Sequence, residues 1–268
     1  MPDSTPTRPG PHRRSATLLA GLVLLSLSGG SLAQDESGSA GSPGTGIPVS
    51  PDPGAGPVVF DDNALPAAPT PGAIVDPKPI GWDHITIWPD GRTLTVYFWN
   101  GAEACYGLDR VELTDMGGTL AITPYTGFRE DAANVRCMEI AQLYSTEIVL
   151  ESPVLGGGMP DVTGAQPLSG LEPTTILPGT ELLAENIQPW DRVSVGPDGR
   201  SLWVWLTGGP EPCFGLSRVE LAEVGELPTL QLTTGAPVGS EVIDCVAMIL
   251  EHRTPVAVPE PILLGGLG

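Results

Sequence analysis

The 268-residue chain has a single lysine, Lys78, and only three histidines, set against 32 acidic residues, so that its formal net charge is -20. A surface this acidic repels polyanions, which excludes nucleic-acid phosphates as a partner and disfavours anionic membrane surfaces. Catalytic motifs are equally scarce. No serine stands in a nucleophile elbow, no glycine-rich phosphate loop follows a strand, and no Cys-x-x-Cys occurs. A four-thiolate metal site needs cysteines paired closely in sequence, and the four cysteines here are far apart. Neither a metal nor a cofactor is expected. What remains open for an enzyme is a pair of carboxylates that meet in space, which no spacing selects.

Long hydrophobic runs are missing too. The apolar stretch Ala16–Leu27 follows Arg8, Arg13 and Arg14 and precedes the small residues Gly29-Gly30-Ser31-Leu32-Ala33. At about a dozen residues it is too short to span a bilayer of roughly 30 Å as a helix. Residues 1–33 therefore read as a cleaved signal peptide, which makes the protein secreted or extracytoplasmic, in the periplasm or cell-wall space, with no stable membrane insertion. From 34 to 70 Gly, Pro, Ser, Ala and Asp dominate without periodicity, and a disordered linker is expected.

What is present is a repeat. Cys105-Tyr106-Gly107-Leu108-Asp109-Arg110-Val111-Glu112-Leu113 returns 108 residues later as Cys213-Phe214-Gly215-Leu216-Ser217-Arg218-Val219-Glu220-Leu221, with seven of nine positions identical. A second cysteine follows 32 residues after the first in both copies, at Cys137 and Cys245. The copies define a module over 71–162, a linker over 163–177 and a second module over 178–268. Of the three possible disulfide pairings, the repeat makes Cys105 with Cys137 and Cys213 with Cys245 the economical one. Each bond should stabilise its module by about 3–4 kcal/mol by closing a loop in the unfolded chain.

Two-residue alternation runs through both copies. One face carries Ile85, Ile87, Leu94, Val96, Phe98, Val111, Leu113, Leu120, Ile122, Ile148 and Leu150; its counterpart carries Val193, Val195, Leu202, Val204, Leu206, Val219, Leu221, Leu230, Leu232, Val256 and Val258. Pro89-Asp90-Gly91-Arg92 and Pro197-Asp198-Gly199-Arg200 are hairpin turns, and their aspartates are turn residues rather than metal ligands. Met138–Tyr144 and Val246–His252 are ambiguous between strand and short helix. The expected fold is all-β: two tandem small antiparallel β-sandwiches, immunoglobulin-like, or barrels, each with its own core, after a disordered linker. Trp82-Asp83 and Trp190-Asp191 recur at the module entrances and are expected to plug the ends of the cores.

The Cys-x-Gly-Leu-x-Arg-Val-Glu-Leu segment, preceded by Trp-Asp and Pro-Asp-Gly-Arg, resembles a tandem module of uncharacterised secreted actinobacterial proteins, over about 79–155 and 187–263. The resemblance implies export and a compact β module; that group has no assigned activity, so it implies no functional residues.

Candidate recognition residues lie opposite the core face. Arg110 and Arg218 sit beside Glu112 and Glu220, and Trp88, Tyr97 and Trp99 in the first copy match Trp203 and Trp205 in the second as outward aromatics at alternate positions. Such aromatics stack on sugar rings or on a partner protein, with arginines as hydrogen-bond donors; alternatively the face is covered, with arginine laid on the rings. The sequence thus points to an exported non-catalytic binding module of the cell envelope or extracellular space, with cell-wall polysaccharide or an envelope protein as partner. A hydrolase acting on envelope polymers and a purely structural tandem are the alternatives; in the structural tandem the two aromatic faces would be buried against each other.

Overall fold

The computed structural model describes residues 47–48, 66–159, 171–242 and 244–267. The expected signal peptide lies outside the described residues. Nearly all regular structure is strand: β1 (Ile47–Pro48), β2 (Ile74–Pro79), β3 (His84–Ile87), β4 (Thr93–Asn100), β5 (Tyr106–Asp115), β6 (Leu120–Arg129), β7 (Gln142–Val149), β8 (Thr174–Thr175), β9 (Asn186–Gln188), β10 (Arg192–Val195), β11 (Ser201–Gly208), β12 (Gly215–Val224), β13 (Leu227–Gly235), β14 (Leu250–Ala257) and β15 (Leu263–Leu264). Two short 3-10 turns, Glu130–Asn134 and Ser240–Val242, complete it.

The two copies share one sheet. Strand β3 pairs antiparallel with β10, which fuses the copies into a seven-stranded sheet of order β7-β4-β3-β10-β11-β14-β8. One face of it is packed by two smaller sheets, β5 and β6 with β2 and β15 over the first copy, and β12 and β13 with β1 and β9 over the second. The alternation leads one to expect two cores, but the buried side chains form one cluster that runs from Ile85, Val96 and Ile122 to Val193, Leu230 and Leu232. The reason is the β3–β10 seam: joined edge to edge, the strands present Ile85, Ile87, Val193 and Val195 to the same interior.

The seam has the geometry of a local two-fold axis, since Thr86 stands opposite Ser194 and these are equivalent positions of the repeat. The tails obey the same symmetry and cross over. Leu263–Leu264, at the end of the second copy, pairs with β6 of the first, and Gly156, at the end of the first copy, bridges Thr229 of the second. Each tail seals a buried tryptophan of the other copy: Trp82 Nε1 donates to Leu264 O at 3.2 Å and Trp190 Nε1 to Gly156 O at 3.0 Å. Close approach makes glycine necessary at Gly157 and Gly265, with φ of 95° and 104°, where a Cβ would lie 2.1 and 2.2 Å from the carbonyl oxygens of Leu230 and Ile122.

Of the residues assigned to the core face, Leu113 alone is exposed, at 44%. Its counterpart Leu221 is half-buried because β1 pairs along the outer edge of β12 there, and among the described residues nothing pairs along that edge of β5. Of the linker expected over 34–70, only residues 47–48 and 66–70 are among the described residues. Ile47–Pro48 forms a strand and Ala67 bridges Tyr144. Such short edge pairings need a few backbone hydrogen bonds and no hydrophobic periodicity, so composition does not announce them. The ambiguous stretches after Cys137 and Cys245 hold neither helix nor strand until β7 and β14 begin.

Both expected disulfides are present, Cys105–Cys137 and Cys213–Cys245, with Cα–Cα distances of 5.8 and 5.9 Å. Two such bonds fit an oxidising, extracytoplasmic compartment. Among the described residues no helix is long and apolar enough to cross a membrane.

Candidate functional site

The outer face of the seven-stranded sheet gathers Trp88, Tyr97, Trp99, Trp203 and Trp205 on one surface, because the alternation that sends Ile85, Val96 and Val204 inward sends these residues outward. The two aromatic sets therefore lie side by side, not buried against each other. They differ sharply in access. Trp88 and Trp99 are 40% and 45% exposed, whereas Trp203 and Trp205 are 9% and 1% exposed.

Arginine lies over both covered rings. In the second copy Arg192 lies 4.7 Å above the Trp205 ring and is fixed by Glu251 at 2.9 Å, and Arg253 lies 4.9 Å above Trp203. These contacts combine cation–π attraction with burial of the guanidinium stems on the indoles. The covered-face alternative thus describes the second copy, and the accessible aromatics belong to the first.

In the first copy His84 replaces Arg192 and stacks on Tyr97, with ring centroids 4.0 Å apart. Asp83 ties the cluster together: Oδ2 is 2.8 Å from His84 Nδ1, and Oδ1 accepts from Trp99 Nε1 at 2.9 Å. The bond with His84, reinforced by that from Trp99, outweighs burial and holds the Asp83 carboxyl below its ordinary range. Trp88 Nε1 donates to Thr95 Oγ1 at 3.0 Å. Both exposed indoles thus have their N–H groups engaged by the protein, which locks the ring orientations. Thr95 and Trp99 are four residues apart on β4, about 13 Å at 3.3 Å per residue. The result is a fixed aromatic platform long enough for several units of a linear ligand.

Arg110 and Arg218 are not part of it. They lie on β5 and β12, in the small sheets, whose outward faces point away from the other side of the core. Arg110 is held by Glu112 and Asp109 and lies 3.9 Å above the Tyr125 ring. Arg218 donates to both oxygens of Glu185 at 2.8 Å and to Glu220 at 3.3 Å. Their hydrogen bonds to these carboxylates raise both guanidinium pKa values, so these are neutralised clusters and not free donors beside the tryptophans. The alternation placed each arginine outward; it contained nothing to say which sheet β5 and β12 would join.

Sequence reasoning passed over Asp83 and His84 as parts of the site, since the second copy has Asp191 and Arg192 there and no conserved pair draws the eye. His252 is structural. It is a buried residue of β14, its Nε2 2.8 Å from Gly209 O, and it stacks with Phe214. Among the described residues no cluster of three His, Cys, Asp or Glu side chains is arranged to hold a metal ion. No family model matches the chain, and no curated protein or solved structure matches it either.

Proposed function

We propose that the protein is an exported, non-catalytic binding protein of the cell envelope or extracellular space, which recognises cell-wall polysaccharide through the Trp88–Tyr97–Trp99 platform. The observation that carries this reading is the pair of exposed indoles whose N–H groups are already engaged. They offer ring faces, which suit the C–H face of a pyranose, and their fixed geometry lowers the ordering cost of binding. Export is supported by the signal-like N-terminus and by the two disulfides. The carboxylates that do gather, around Arg110 and Arg218, are ion-paired on open strand faces and not set across a cleft, which favours binding over envelope-polymer hydrolysis.

The test is co-sedimentation of the oxidised protein with isolated cell-wall polysaccharide, beside the variants Trp88→Ala and Trp99→Ala. Saturable binding that weakens at least about tenfold in each folded variant is expected, equivalent to about 1.4 kcal/mol. Absence of binding by the parent protein, or binding unchanged in both variants, would retire the reading.

A further inference from the structure

The two copies differ at one corner, where the first holds a side-chain contact and the second holds a space. In the first copy Thr70 Oγ1 donates to the carboxylate of Glu103. The equivalent carboxylate in the second copy is Glu211, but the Pro71-Gly72 that follows Thr70 returns as Pro178-Gly179, so leucine stands in place of the threonine, at Leu177, and has no hydroxyl to give. Glu211 makes no hydrogen bond or ion pair among the described residues. It instead lines a cleft of about 210 Å³, together with Ile176, Thr180, Phe214 and Pro237. A cavity of about 150 Å³ suffices for one benzene ring, so this cleft takes one six-membered ring.

The wall combines the apolar side chains of Ile176, Leu177, Phe214 and Pro237 with the exposed Glu211 carboxylate and the Thr180 hydroxyl. A ligand that fits must have a ring body for Phe214 and Ile176 and a hydroxyl for Glu211, the group that Thr70 supplies to Glu103. We propose that this cleft is a second saccharide subsite, taking one neutral sugar ring with a ring hydroxyl donating to Glu211. It rests on the second copy's own residues and owes nothing to Trp88 or Trp99. A charged sugar acid is disfavoured, since the ionisable group among the described residues of the cleft, Glu211, is an acid.

The experiment is an NMR titration of the oxidised full chain with methyl β-glucopyranoside, following the backbone amides of Thr180, Gly215 and Leu216. Three variants accompany it. Glu211→Gln retains an acceptor but loses the charge, Leu177→Thr restores the hydroxyl that closes the first copy's corner, and the double variant Trp88→Ala/Trp99→Ala removes the platform. Saturable shifts at these amides, weakened at least about tenfold by Leu177→Thr and severalfold by Glu211→Gln yet kept in the platform variant, are expected. Two results would overturn the proposal: no shift at these amides, or shifts that Leu177→Thr and Glu211→Gln leave unchanged. Shifts confined to the Trp99 surface would also overturn it while supporting the platform, so the two sites succeed or fail separately.

Discussion

Thr86 Oγ1 and Ser194 Oγ lie 3.2 Å apart, buried at the centre of the long sheet, and 108 residues of chain separate them. That separation is the period of the repeat, so each copy meets the other through the same residue position. A contact between equivalent positions is the signature of an isologous interface, here built within one chain. The crossed tails extend the interface: Leu263 pairs with Leu120, and Gly156 with Thr229.

A single copy should not fold as a monomer. Residues 66–159 alone would leave the β3 edge unpaired, Trp82 without Leu264 over its indole, and half of the shared interior facing water. Circular dichroism with analytical ultracentrifugation should find this fragment either unfolded or dimeric, the dimer formed by β3 pairing with its own copy. A folded monomer would show that the seam is dispensable.

The crossover has a sharper test at its glycines. Gly265→Ala forces a Cβ to within 2.2 Å of the backbone oxygen of Ile122 at a positive φ, and Gly157→Ala does the same against Leu230. Each should cost at least about 2 kcal/mol in urea denaturation. Gly225→Ala is the control, with a positive φ of 71° and nothing within 4 Å of the added methyl, and should cost about 1 kcal/mol. Equal losses at all three would mean that the tails do not seat as described.

Much of this was legible before the structure. Two-residue alternation identified the core face of both copies with Leu113 as its one exposed member, and equal cysteine spacing identified both disulfides. The β3–β10 seam was not legible, because an edge strand that pairs with its equivalent shows the same alternation as one that pairs within its module. Nor was the contrast between Trp99 and Trp205. Alternation directs a side chain outward, but whether it meets water depends on Arg192 and Glu251, which come from two different strands.

Tyr144 and His252 occupy equivalent positions and reach the equivalent carbonyls: Tyr144 Oη donates to Gly101 O at 2.8 Å, and His252 Nε2 lies 2.8 Å from Gly209 O. The histidine is the poorer solution, since its Nδ1 is buried without a hydrogen-bond partner. A phenol makes the same bond and leaves nothing unsatisfied. His252→Tyr is therefore expected to stabilise the protein by about 1 kcal/mol, measured by urea denaturation at neutral pH. A loss of stability would mean that the ring pocket beside Phe214 and Leu206 is too tight for tyrosine.

The aspartates that follow the two buried tryptophans should respond to acid in opposite directions. Asp83 is held below its ordinary 3.8 chiefly by the His84 hydrogen bond, so its stabilising contribution is present above 3.8 and is lost as pH falls through the lower folded value. Asp191 accepts from the Thr207 hydroxyl at 2.7 Å, but burial outweighs this bond and the nearby Arg192 charge and raises it above 3.8. Its protonated form is the one the fold prefers, so the stability it contributes is complete below 3.8 and disappears as pH rises through the higher folded value. Asp83→Asn should then destabilise the protein at neutral pH by about 1–2 kcal/mol through a lost charged acceptor, with the deficit shrinking in acid below 3.8. Asp191→Asn should gain on the parent protein as pH rises above 3.8. Urea denaturation of the parent and both variants across this range decides the matter, because the remaining carboxylates are common to all three and cancel in the differences. Parallel pH profiles for the two variants would show that Asp83 and Asp191 sit in equivalent electrostatic surroundings, and that the Asp83–His84–Trp99 cluster does not hold its charge as the geometry requires.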